Sequence, residues 1–184
     1  MCPTERREAC TQGPASAALP TPLAGSVYVA GHEGLVGSAI VRRLKLEGVA
    51  DILTATRDRL DLIQRADVEA FFAAHRPSYV VLAAAKVAGI KMCSAYNRQY
   101  GSNFLCLMPT NLYGPGDNYD PRSSHVLPAL IRRAHEAKTE GRDALVVWGS
   151  GTPRRELMHV DDLAAACVFA LQHLEGKSGC LAPT

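Results

Sequence analysis

The chain has 184 residues, 47% apolar and 21% charged, a globular composition long enough for one sizeable core and one principal domain. Twenty Lys and Arg stand against 18 Asp and Glu, and this net charge of +2 is too balanced to suggest a nucleic-acid or anionic-membrane partner. The longest apolar stretches, such as Tyr79 to Ala85, fall far short of a bilayer span, which excludes a transmembrane helix.

In chain order, the first 25 residues are broken by Pro3, Pro14, Pro20 and Pro22, follow no helical or strand period, and read as a disordered leader. They lack the apolar run of a secretory signal. The six cysteines (Cys2, Cys10, Cys93, Cys106, Cys167, Cys180) show no zinc or redox spacing, so reduced thiols, no metal site and a cytoplasmic location are expected. Cys106 and Cys167 lie in apolar runs and read as core fillers.

From Ser26 the pattern becomes strand, glycine-rich turn, helix. Ser26 to Ala30 is β-prone, and an amphipathic stretch runs to a C-capping Gly48. Between them, Gly31 permits a tight bend, Gly34 lets backbone N–H groups approach a pyrophosphate, and Gly37 lets the helix pack on the strand. The helix start at Leu35, Val36 and Gly37 then faces the anion with its free N–H groups. A second strand, Asp51 to Thr56, ends where a dinucleotide fold reads the adenosine ribose. There the chain offers Arg57, whose guanidinium suits a 2′-phosphate, and this favours NADP over NAD even with Asp58 adjacent. Asp61 and Leu62 lead into a helix, Ala66 to His75, stopped by Pro77, and Tyr79 to Ala84 reads as a third, buried strand. Alternating βαβαβ predicts an α/β fold with a doubly wound parallel sheet of the Rossmann type.

The segments Ala30 to Ile40, Leu82 to Val87, Met108 to Pro115 and Val147 to Pro153 together resemble the GDP-L-fucose synthases, a family of extended short-chain dehydrogenases. The likeness runs from about Ser26 to about Leu171. It implies NADPH-dependent epimerisation at C3 and C5 of GDP-4-keto-6-deoxy-D-mannose and reduction at C4. It also implies a GDP-sugar substrate, and either a homodimer or association with a full-length homologue. Coenzyme contacts would include Asp61, Leu62, and the loop residues Asn111 and Leu112, the latter pair against the nicotinamide. His125 matches the family's epimerisation acid, while Arg133, Trp148 and Arg155 match positions that grip the GDP portion. Guanidinium groups bind diphosphate oxygens in bidentate fashion, and an indole offers a flat apolar surface.

One part of the family's pattern is missing. Reduction in this superfamily uses a Tyr-x-x-x-Lys pair on one helix face, and none of the six tyrosines has Lys four residues on. Lys86 to Lys91 joins directly two segments that the family separates by further strands and helices. Lys86 therefore aligns either with the lysine after the third strand or with the catalytic lysine, and in the second case Leu82 takes the tyrosine's place. The segment bearing the family's catalytic Ser and epimerisation Cys is absent as well.

Beyond the join, Lys91 to Tyr100 reads as half a helix and Asn103 to Met108 as a strand. A final apolar helix starts at Leu163, with Asp161 or Asp162 as N-cap, and His159 with Asp161 reads as capping rather than metal binding. The expected organisation is a leader (1–25), a shortened NADP-binding domain with part of a substrate region (26–175) and an unmatched tail (176–184). Two functions fit: a GDP-L-fucose synthase, or an inactive remnant that binds NADP and nucleotide sugar.

Overall fold

The structure, a computed structural model, describes residues 23–83, 87–147 and 149–174, with backbone alone at 87–89. Residues 1–22 of the expected leader, Lys86, Trp148 and the 176–184 tail lie outside the described residues.

Three parallel strands form the centre: β1 (Val27–Ala30), β2 (Ile52–Leu53) and β3 (Tyr79–Leu82). Their order is β2-β1-β3, with Val27 in register with both Ile52 and Tyr79. Strand alternation sends Val27 and Val29 to one face and Tyr28 and Ala30 to the other. The first face packs on α1 (Leu35–Leu46) through Ala39, Ile40 and Leu44, and on α5 (Val160–His173) through Val160, Ala164 and Val168. The second packs on α2 (Arg65–His75), where Phe71 and Phe72 stand 4.8 and 5.9 Å from the Tyr28 ring. Both faces of β1 are covered, so all four of its residues are apolar and buried. Leu23, inside the stretch read as a leader, is buried in the first cluster.

Gly48, at φ +77°, ends α1 as expected: its N–H and that of Val49 donate to the carbonyls of Lys45 and Leu44. Gly141 ends α4 (Val126–Thr139) by the same pair of bonds, from Gly141 to Lys138 and from Arg142 to Ala137.

Five expectations are corrected. The second strand keeps only Ile52 and Leu53 of Asp51 to Thr56, and the half-helix begins earlier, as α3 (Val87–Tyr100). The third strand is not buried: Val80 and Leu82 are 45% and 55% exposed, because β3 is the edge of its sheet. Asn103 to Met108 forms no strand, and Leu107 makes only an isolated bridge. In place of a neighbouring strand, the side-chain amide of Asn97 bonds both the N–H and the carbonyl of Phe104, at 2.9 and 2.8 Å. A strand requires a partner for its backbone groups, whatever its propensity. The remaining strands, β4 (Asn111–Tyr113) and β5 (Leu157–His159), pair with each other in a separate parallel sheet. Finally, His159 caps α5, its Nδ1 accepting from the Asp161 N–H, so that Asp161 and Asp162 fall in the first turn.

Candidate functional site: a glycine turn at the sheet's switch point

β1 connects to β2 on one side and β3 returns to the other, so the chain reverses direction of travel between β1 and β3. In open α/β sheets ligands bind in the crevice at the carboxyl ends of the strands at such a point. The glycine turn lies there. Gly31 adopts φ +76° directly after β1 and sits opposite Ala83, the residue after β3. A Cβ on Gly37 would meet the Gly31 carbonyl oxygen, so close packing demands glycine. Gly34 differs: its φ is −78° and a Cβ there would make an ordinary 3.5 Å contact. The backbone does not require glycine at Gly34, and the space its missing side chain leaves suits a close-approaching ligand.

Gly34 is also the N-cap of α1, and it provides no side-chain hydrogen bond to the first turn, which contains no acidic residue. The N–H groups of Leu35, Val36 and Gly37 therefore face the turn with the positive end of the helix dipole behind them, an arrangement that fits a pyrophosphate. The turn after β2 is closed by bonds from Arg59 and Leu60 to the Thr56 carbonyl and anchored by buried Leu60, which leaves Arg57 exposed. Asp61 spends one carboxylate oxygen on the Ile63 N–H at 3.1 Å, holding the next turn, and Leu62 is exposed.

Asn111 and Leu112, expected in a loop, are instead the first residues of β4. Leu112 is in register with Met158, and Asn111 Nδ2 donates to the Glu156 carbonyl at 3.3 Å. The following turn reaches the glycine region: a Cβ placed on Gly116, whose φ is +87°, would lie 3.8 Å from the Ser38 hydroxyl on α1. Gly114, at φ +148°, packs so tightly on Val160 and His159 that a side chain there would collide. The fold thus unites the glycine turn with the β4 turn. Arg42, one turn beyond Ser38, reinforces this by bonding Asp161 on α5 at 2.5 Å, a link not foreseen from sequence. Its only sequence signal is the i, i+4 spacing from Ser38, to which Arg42 also donates at 3.4 Å.

His125 occupies the N-cap position of α4 with its side chain exposed and making no capping bond. On α4, Arg132 is committed to Glu136 and to the Tyr119 carbonyl, and its hydrogen bond holds the Glu136 carboxyl below the usual range. Arg133, next to it, is half-buried. Arg155 is exposed, its Nη1 donating to the Arg154 carbonyl. Among the described residues no group of three His, Cys, Asp or Glu is placed to hold a metal.

A parallel sheet clad by helices on both faces, with a glycine turn and a helix N-terminus at its switch point, defines a dinucleotide-binding α/β protein. The profile of the NAD dependent epimerase/dehydratase family matches residues 27–91 and 83–179. GDP-L-fucose synthase 1 of Arabidopsis thaliana is 39% identical over 225 positions, covering 82% of this chain and 70% of the relative. The GDP-L-fucose synthase of Escherichia coli strain K12 is 36% identical over 221, covering 79% and 69%. Among solved structures, the GDP-mannoheptose C4 reductase of Campylobacter jejuni with NADP bound superposes with a TM-score of 0.74 at 27% identity, covering 83% and 76% of the two chains. The chain belongs to the NAD dependent epimerase/dehydratase family and, within it, to the GDP-L-fucose synthases.

The two family matches both claim residues 83–91, the end of one half and the start of the next. The alignment with the Arabidopsis relative spans 225 positions, while 82% of 184 residues is about 151, so about 74 positions face no residue here.

Proposed function

We propose that the chain acts in GDP-sugar metabolism as a GDP-L-fucose synthase, with GDP-4-keto-6-deoxy-D-mannose as substrate and NADP as coenzyme. The 39% identity to a GDP-L-fucose synthase over 82% of the chain carries this reading. In it, the N–H groups of Leu35, Val36 and Gly37, admitted by Gly31 and Gly34, bind the pyrophosphate, and Arg57 binds the 2′-phosphate. Asp61 and Leu62 border the coenzyme, and Asn111 and Leu112 border its nicotinamide. When bound, the coenzyme supplies hydride for the C4 ketone. Arg133, Trp148 and Arg155 hold the GDP portion, and His125 moves a proton during epimerisation. Lys86 is the remaining candidate for the catalytic lysine. The domain assignment, residues 26–175 with a leader before and an unmatched tail after, belongs to the same proposal.

A specific observation favours a second reading, in which coenzyme and nucleotide sugar bind without turnover. No tyrosine of the chain precedes a lysine by four positions, and Leu82 has no proton to give to a C4 alkoxide. Keto-sugar-dependent loss of NADPH absorbance in the full chain supports synthase activity. NADPH binding without such loss supports the second reading, and failure to bind NADPH overturns both.

We also propose association, as a homodimer or with a full-length homologue, since Val80, Leu82, Phe104 and Met108 expose apolar surface. Light scattering of the chain alone and mixed with such a homologue tests this. No helix among the described residues is long and apolar enough to cross a membrane, and a cytoplasmic site of action is proposed.

A further inference from the structure

Among the described residues, two side-chain polar atoms are buried without a hydrogen-bond partner: Asp117 Oδ2 and Ser124 Oγ. Both lie in one segment, the loop from Gly114 to His125 that joins β4 to α4. The loop is otherwise densely bonded. Asp117 Oδ1 accepts from the Asn118 N–H, Asn118 Oδ1 from the Asp120 N–H, and Asp120 Oδ1 from the Arg122 N–H. Asn118 Nδ2 also donates to the Ser123 hydroxyl, and Arg132 holds the Tyr119 carbonyl. Leaving a buried polar atom unpaired is costly, and a loop with this many local bonds had partners to offer. Two such atoms, both between the Asn111–Tyr113 strand and His125, mark groups set aside for a partner that the chain itself does not supply.

Resting on the proposed GDP-sugar function, we infer that Asp117 and Ser124 bind the hydroxyl groups of the sugar ring and so determine which sugar is accepted. The chemistry selects this ligand class. A carboxylate repels a diphosphate and accepts from hydroxyls, and a serine hydroxyl both donates and accepts. A cation is disfavoured, since no third His, Cys, Asp or Glu is grouped there among the described residues. The loop also lies in sequence between the residues proposed for the nicotinamide, Asn111 and Leu112, and Arg133, proposed for the diphosphate.

The test is calorimetric titration of the full chain, with NADP present, using GDP-D-mannose and GDP as probes, for wild type, Ser124→Ala and Asp117→Asn. Expected is tighter wild-type binding of GDP-mannose than of GDP. Ser124→Ala weakens GDP-mannose about fivefold and Asp117→Asn about tenfold, with GDP unchanged. Ser124→Ala should at the same time raise Tm by about 2–4 °C, since it removes an unpaired buried hydroxyl, whereas a structural serine would lower it. Equal wild-type affinity for the two probes, or variants that keep wild-type GDP-mannose binding, overturns the inference alone. A lower Tm accompanied by equal losses for both probes also overturns it, in favour of a structural role. A wild type that binds neither probe overturns the proposed function with it.

Discussion

A Cβ placed on Gly37 would lie 2.1 Å from the carbonyl oxygen of Gly31, whereas one on Gly34 would lie 3.5 Å from that same atom. Two glycines of one turn thus do different jobs. Gly37→Ala forces the first turn of α1 away from the backbone beneath it, and we expect a loss of about 3 kcal/mol or more by urea unfolding. Gly34→Ala should cost about 1 kcal/mol or less in folding, yet weaken NADPH binding at least tenfold, because its methyl group occupies the coenzyme's space. Fluorescence titration with NADPH, run beside the unfolding curves, reads both. Coenzyme binding unaffected by Gly34→Ala would remove the pyrophosphate from this turn.

Arg57→Ala should weaken NADPH about tenfold or more while leaving NADH nearly unchanged, since only NADPH carries the 2′-phosphate. Competitive displacement of one nucleotide by the other measures the ratio. A parallel loss for both would mean that Arg57 merely supports its turn.

The Arg42–Asp161 pair joins α1 to α5 across 119 positions of sequence, but its side chains are 43% and 51% exposed. Screened by solvent, it contributes at most about 1 kcal/mol. Arg42→Met should therefore lower Tm by no more than about 4 °C, and the deficit should shrink in 1 M salt. A deficit that persists in salt would locate the effect in the packing of the arginine stem.

Cys167 packs against the core between α5 and β1, and burial raises its thiol pKa. A folded pKa above the unfolded value means that the stability from this thiol is complete below the unfolded pKa. It is then lost as pH rises through the folded one. Denaturant midpoints should accordingly fall as pH rises past the ordinary thiol pKa of about 8.5, and fall less in Cys167→Ala. Equal slopes for the two proteins would show that other groups control the alkaline limb.

Much of the first half was legible because its signals are local. The Gly31-x-x-Gly34-x-x-Gly37 spacing, the Gly48 cap and the apolar run Val27 to Ala30 each specify a conformation within a few residues, and each is found as read. The misreadings fall where the outcome depends on a distant neighbour. Asn103 to Met108 has strand composition but receives bonds from Asn97 rather than from a strand. Tyr79 to Leu82 looks buried by composition, yet sits at an edge. Asp161 has the chemistry of an N-cap, but it is drawn to Arg42 while His159 caps the helix.

The amino-acid order alone determined the glycine turn, the parallel α/β plan, the family and the missing Tyr-x-x-x-Lys pair, because all four are written in residue type and spacing. Tertiary structure decided that the strands divide into two sheets, that the Gly116 turn closes on Ser38, and that Asp117 and Ser124 are left with unpaired atoms. The physical reason is that a strand's hydrogen bonds and a buried side chain's partners come from elsewhere in the chain. Propensity can propose such bonds, but only the folded neighbourhood supplies the other half.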